Sequence, residues 1–151
     1  MSPSPRYRHQ EIVGNIFFAI LGHLRKHPAG KVVISPSDVE LSAEDVYEPD
    51  IYFISQERLG IITEQGASGG PDLVVEVLSP GTARLDLAKR EIYAAAGVKE
   101  MWLVDDRRRK VDIYMLQEAP LMPVRTALAG DMIETPLIPG LKVDVREIFE
   151  S

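Results

Sequence analysis

Glu76 is a charge where a buried strand should have none. It stands in the run Asp72–Leu78 (DLVVEVL), in which side chains alternate, so Asp72, Val74, Glu76 and Leu78 share one face and Leu73, Val75 and Val77 the other. A carboxylate left unpaired inside such a run costs several kcal/mol. A metal, a cation or an open cleft must offset that cost; the plainer alternative is a structural pair with a nearby Lys or Arg. Asp50, which follows Glu48-Pro49 and opens DIYFIS, is a second acid at the start of a strand. Taken alone it reads as a polar strand-start residue, and Asp72 carries the same ambiguity. Asp72 precedes Glu76 by four residues of extended chain, roughly 13 Å, too far for one metal to bridge. Asp50 on a neighbouring strand is the better partner for Glu76.

A third group comes from the segment after this strand. Asp86, Lys89, Arg90 and Tyr93 are spaced i, i+3, i+4 and i+7, one polar stripe on a helix. A solvated face with an Asp86–Arg90 or Asp86–Lys89 pair accounts for Arg90. Lys89 is a candidate for chemistry, because the short strand-to-helix connection returns the first turns of this helix over the strand end that carries Glu76. His9 begins the first helix in phase with Val13, Ile16 and Ile20, the usual place of a half-buried helix-start residue. Tyr93 and Trp102 read as packing residues. Arg107-Arg108-Arg109-Lys110 reads as a solvated hairpin turn; its functional alternatives are phosphate contact and a seam in a dimer.

The elements that must position these groups follow from pattern. Residues 1–8, with two Pro and two Ser, read as a flexible arm. Ile12, Val13, Ile16, Phe17, Ile20 and Leu24 recur at helical spacing between His9 and His27, and Pro28 and Gly30 end that helix. Lys31–Ser35, Asp38–Leu41 and Asp50–Ser55 read as strands, Glu57–Gln65 as a short helix or turn, and Ala67–Pro71 as a loop. Asp72–Leu78 is apolar on both faces and therefore central to a sheet. Thr82 is an N-cap candidate for a helix over Ala83–Ala96, closed by Gly97. Strands at Glu100–Val104 and Lys110–Leu116 follow as a hairpin, then weak strands near Ile133 and Val143 and a last helical turn at Val145–Phe149. The order predicts an α/β (α+β) domain, a mixed sheet flanked by helices, with one domain over 9–151.

Composition bounds the chemistry. The 151 residues suit one core, and 45% hydrophobic with 26% charged residues is a globular balance. There is no cysteine and there are only three histidines, so thiolate and His-rich metal sites are excluded and any metal would be hard and oxygen-bound. The net charge of −6 argues against binding nucleic acid by bulk electrostatics and leaves phosphate contacts to local patches. No apolar run approaches the ~20 residues of a membrane span, and MSPSPRYRHQ lacks the apolar stretch of a signal peptide. The expected location is cytoplasmic.

Taken together, the segments carry a resemblance. GGPDLVVEVLSPGTARLDLAKREIYAAAGVKEMWLVDD, with EPDIYFIS and RHQEIVGNI upstream, closely resembles the Uma-two family, assigned as restriction endonucleases in the PD-(D/E)xK nuclease superfamily. The linked blocks PDI, PDLVVEVLSP, D-x-x-K-x-x-x-Y and AGVKEMWLVD make it specific from about His9 to the C-terminal strand. The resemblance implies a restriction-endonuclease-like fold and magnesium- or manganese-dependent hydrolysis of DNA. It implies catalytic roles for Asp50, Glu76 and Lys89, with Asp50, Glu76 and the carbonyl of Val77 on the metal and Asp86, Tyr93 and His9 in support. One residue departs from the superfamily: Leu78 stands where a lysine is usual, and the amine is carried instead by Lys89. DNA is the implied partner, and a homodimer is compatible with it. The rival expectation is a catalytically inactive nuclease-like module that binds nucleic acid or a protein.

Overall fold

The computed structural model describes residues 4–79 and 83–150, those at 4–6 and 83–86 by backbone alone. The first helix, α1, spans Ser4–Lys26 and so starts earlier than the periodicity suggested. Residues 4–8, expected within a flexible arm, are its opening turns. Pro5 suits the first turn of a helix, where its missing N–H costs nothing, and Arg8 anchors that turn to Glu11 and Asp106.

Six strands form the main sheet: β1 (Gly30–Ile34), β4 (Ile51–Ser55), β6 (Leu73–Val77), β7 (Glu100–Asp105), β8 (Lys110–Met115) and β9 (Arg125–Leu128), side by side in that order. Within this sheet, among the described residues, only β6 and β7 run parallel. Their link contains the helix α2 (Ala83–Ala95), as a parallel crossover requires. Thr82, expected as its N-cap, lies outside the described residues. Gly97, at φ 89°, closes α2: its N–H bonds to the Ala94 carbonyl at 3.1 Å, and the Val98 N–H bonds to Tyr93 at 3.0 Å. Glycine takes that left-handed conformation without a Cβ clash, and Val98 beyond it is fully buried.

Both faces of the sheet are covered, which explains why every residue of β6 and β7 is buried. On one face, Ile12, Val13, Ile16 and Ile20 of α1 pack against Ile51, Phe53, Leu73, Val75, Val77 and Trp102. The C-terminal pair β10 (Met132–Ile133) and β11 (Val143–Asp144) and the short helix α3 (Val145–Phe149) complete that layer. On the other face, Tyr93 and Ala94 of α2 pack with Val74, Met101, Leu103 and Tyr114. A small second sheet, β3 (Val46–Tyr47), β2 (Asp38–Glu40) and β5 (Gly66–Ser68), lies on this face through Val39 and Ala67. The fold is the expected mixed sheet flanked by helices.

Two buried acids outside the candidate site serve the architecture. The Asp72 side chain is fully buried at the N-terminal end of β6. One oxygen accepts the Ser55 N–H at 2.7 Å and lies 3.3 Å from Arg58; Lys99 Nζ stands 3.1 Å from the other, close enough to pair though not aligned as a hydrogen bond. Glu100 on β7 is 1% exposed and accepts from Trp102 Nε1 at 2.6 Å and Thr135 Oγ1 at 2.7 Å. Burial pushes its carboxyl above the ordinary range against the pull of those two donors.

Candidate active site

Antiparallel pairing brings the candidate acids to one end of the sheet. Ile51 pairs with Val75, so the register continued by one residue sets Asp50, just before β4, across from Glu76, near the end of β6. The same end receives the start of α1 on one face and the middle of α2 on the other.

Glu76 is 3% exposed and lies on the α2 face with Val74. Its Oε2 accepts a 2.6 Å hydrogen bond from Tyr93 Oη and lies 3.4 Å from Lys89 Nζ. Lys89 and Tyr93 are one helical turn apart on α2, so both reach the same carboxylate. Tyr93, expected only to pack or to steady the amine, is fully buried and bonded to the acid itself. Arg90, on the same helix, turns away and donates to the Leu87 carbonyl, Tyr114 Oη and the Leu121 carbonyl rather than lying on a solvated face. The side chain of Asp86 lies outside the described residues.

Asp50 faces the other way. Its Oδ2 accepts the Val77 N–H at 2.8 Å and stands 3.2 Å from His9 Nε2. The bond to Val77 ties Asp50 to the residue that follows Glu76. In a strand the N–H and C=O of one residue point to the same edge, so the Val77 carbonyl shares the side on which Asp50 sits. The Asp50 hydrogen bond raises the His9 imidazole above its ordinary range, and partial burial opposes this more weakly. A raised histidine contributes stability that is complete below its unfolded value, about 6.5, and is lost as pH rises through the folded value. In the metal-free protein, proton NMR is therefore expected to show His9 titrating above an exposed histidine. In Asp50→Asn it should fall back, and an unchanged titration would mean that Asp50 does not govern it.

Tyr47 was not singled out from sequence. It belongs to the two-residue strand β3, too short to carry a periodic signal. Its ring meets Tyr93 edge-on, with centroids 6.0 Å apart, and Lys89 Nζ lies 5.8 Å from its centre. Tyr47 thus lies within cation–π range of the amine, and the aromatic face favours the charged ammonium. The Val77 N–H is likewise a functional group that no side-chain pattern announces. Asp72, four residues upstream, belongs to the opposite end of β6 and does not join the site, as its spacing required.

Among the described residues no three His, Cys, Asp or Glu side chains group closely enough to hold a metal ion by themselves. Asp50, Glu76 and the Val77 carbonyl offer two carboxylates and one backbone oxygen. Such a set fits a hard divalent cation that keeps several waters, the coordination habit of magnesium. It does not suit zinc, which takes mainly nitrogen and sulfur ligands in closed sites. Among the described residues, no helix is long and apolar enough to cross a membrane.

Comparison with known proteins adds three findings. No curated protein matches the chain. A crystal structure of a "putative nuclease belonging to DUF820" from Anabaena variabilis ATCC 29413 superposes with a TM-score of 0.74 over 94% of this chain and 80% of the other, at 18% sequence identity. That likeness establishes the shared fold. The Uma2 family model, described as "Putative restriction endonuclease", matches residues 1–146, and the chain belongs to that family.

Proposed function

We propose that the chain is a metal-dependent endonuclease that hydrolyses DNA phosphodiester bonds at the end of the sheet that carries Asp50 and Glu76. The observation that carries this reading is Glu76: a carboxylate 3% exposed in the central strand, gripped by Tyr93 and Lys89 and set across from a second acid. The family and the nuclease of like fold support the same reading.

In this mechanism Asp50, Glu76 and the carbonyl of Val77 would hold magnesium or manganese, which would supply Lewis-acid chemistry toward the scissile phosphate and the attacking water. The chain's own groups do the rest. Tyr93 Oη fixes one oxygen of Glu76 and so sets the direction in which the carboxylate presents the other. Lys89, beside Glu76, orients the attacking water or offsets negative charge as it grows on the phosphate. The Val77 N–H and His9 fix Asp50 in the same way.

Leu78 favours a second reading. It packs against the α2-side core, at the position where nucleases of the superfamily carry their lysine. A nuclease-like module without catalysis, binding nucleic acid or a protein partner, would need no amine there. Supercoiled plasmid separates the two. The endonuclease reading expects the purified protein to nick or linearise plasmid with magnesium or manganese and to leave it intact with EDTA. Intact plasmid in every condition would favour the module, and cleavage undiminished by EDTA would remove the metal from the account.

A further inference from the structure

The hairpin turn that joins β7 to β8 stands at the same end of the sheet as Glu76, and its placement gives the arginine run a role. Strands β6 and β7 are parallel and in register, with Glu76 beside Leu103 and Val77 beside Val104, and the Leu78 N–H bonds to the Val104 carbonyl at 2.9 Å. The turn begins two residues later. Residues 105–110 read Asp-Asp-Arg-Arg-Arg-Lys, an excess of positive charge in a chain whose net charge is −6.

The turn is a built feature. Asp105, 6% exposed, accepts the Arg108 N–H at 3.1 Å and pairs with its guanidinium at 3.3 Å. Asp106 takes Arg8 of α1 through both oxygens, at 3.1 Å each, and also pairs with Arg109 at 3.4 Å. Arg109 adopts a left-handed backbone, φ 52°, and lies over the Phe149 ring. Its neighbours are thus pinned, while Arg107 is exposed and, among the described residues, has no ion pair or side-chain hydrogen bond. Two acids fix the scaffold and leave one arginine at the tip pointing to solvent.

Three residues of chain separate Arg107 from Val104, and one strand spacing separates Val104 from Val77. The Cα of Arg107 therefore lies within about 16 Å of Val77. With about 3.4 Å of rise per nucleotide along one strand, that bound covers at most about five nucleotides. We propose that the β7–β8 turn, led by Arg107, grips a DNA backbone phosphate within about five nucleotides of the scissile one. Such a contact fixes where the duplex lies without reading its sequence. It also supplies the local patch that an acidic protein needs for a polyanionic partner. This inference rests on the nucleic-acid part of the proposed function.

The test is fluorescence anisotropy of a labelled DNA duplex, with calcium in place of magnesium, across a range of salt concentrations. Wild type, Arg107→Gln, Arg107→Lys and Glu76→Gln are compared, with plasmid cleavage measured in parallel. Arg107→Gln should weaken binding several-fold at low salt and lower the slope of log K against log salt by about one, while Arg107→Lys keeps the slope. The turn is exposed, so an unchanged melting temperature certifies the fold of each variant. An Arg107→Gln slope and affinity equal to wild type would overturn the grip, as would a wild type that binds no duplex. If wild type cuts plasmid while Arg107→Gln binds as wild type does, the grip alone fails. If wild type binds with the Arg107-dependent slope but never cuts, the grip stands and the endonuclease reading fails.

Discussion

Glu76→Gln is expected to lower plasmid cleavage by at least ~1,000-fold, because a metal ion contributes several kcal/mol of transition-state charge stabilisation and each 1.36 kcal/mol is tenfold in rate. The substitution keeps the shape of the side chain and its hydrogen-bond acceptor for Tyr93, so the buried strand loses little packing. What it removes is a negative oxygen. Lys89→Met should also lower the rate, by roughly 100-fold or more, since a positioned acid–base or charge-stabilising group is worth that much. The two variants differ in metal binding. Glu76→Gln should lose it, whereas Lys89→Met should keep it, because removing an ammonium from beside a carboxylate does not remove a ligand. The measurement is single-turnover cleavage with circular dichroism as the check on folding. Wild-type rates in a folded Glu76→Gln would remove Glu76 from the mechanism.

The largest effect on stability is expected at the other end of the same strand. Asp72→Ala leaves the Ser55 N–H without its acceptor and two cations without their counter-charge. Removing one partner of a buried ionic group costs 3–5 kcal/mol. Lys99 is 55% exposed and Arg58 35%, so water takes over part of their solvation. About 3 kcal/mol is the expected loss, a fall in Tm of roughly 6–12 °C for a chain of this size. Arg58→Met and Lys99→Met, each removing one water-exposed cation, should cost about 1 kcal/mol or less. Burial raises the Asp72 carboxyl, but the Ser55 N–H, Lys99 and Arg58 outweigh it and hold it below the ordinary carboxylate range. A depressed acid stabilises above its unfolded pKa, near 3.9, and the contribution fades as pH falls through the folded value. The gap between wild type and Asp72→Ala should therefore be full at neutral pH and close below about pH 4. Denaturant melts at both pH values measure it, and a gap independent of pH would mean that the charge is irrelevant.

The parts of this architecture that can be read from sequence are those with strong local patterns. β6 announces itself by an apolar run uninterrupted except for Glu76, and α1 and α2 by their periodicity. The pairing of Glu76 with Lys89 follows from a short crossover and one helical turn. What could not be read is held together by tertiary pairing. β3 has two residues and β5 sits in the glycine-rich segment expected as a loop, where Gly66–Ser68 becomes a strand only because β2 lies alongside it. β9 follows a proline-rich stretch, exposes three of its four residues and depends on β8 for its existence. Tyr47 was hidden with β3. Glu100 gave no sign of burial, because Trp102 and Thr135, which satisfy its oxygens, lie two and thirty-five residues away. The ambiguity at Asp72 had the same origin: its two cations, Arg58 and Lys99, belong to segments that only the folded sheet brings together.

The central claim is that Asp50, Glu76 and the Val77 carbonyl form one divalent-cation site. Calorimetric titration of manganese into the wild-type protein, Asp50→Asn and Glu76→Gln tests it most directly. The account predicts saturable binding to wild type at millimolar manganese or below, and its loss in both folded variants. No binding to wild type at millimolar manganese, or equal binding by all three proteins, would contradict it.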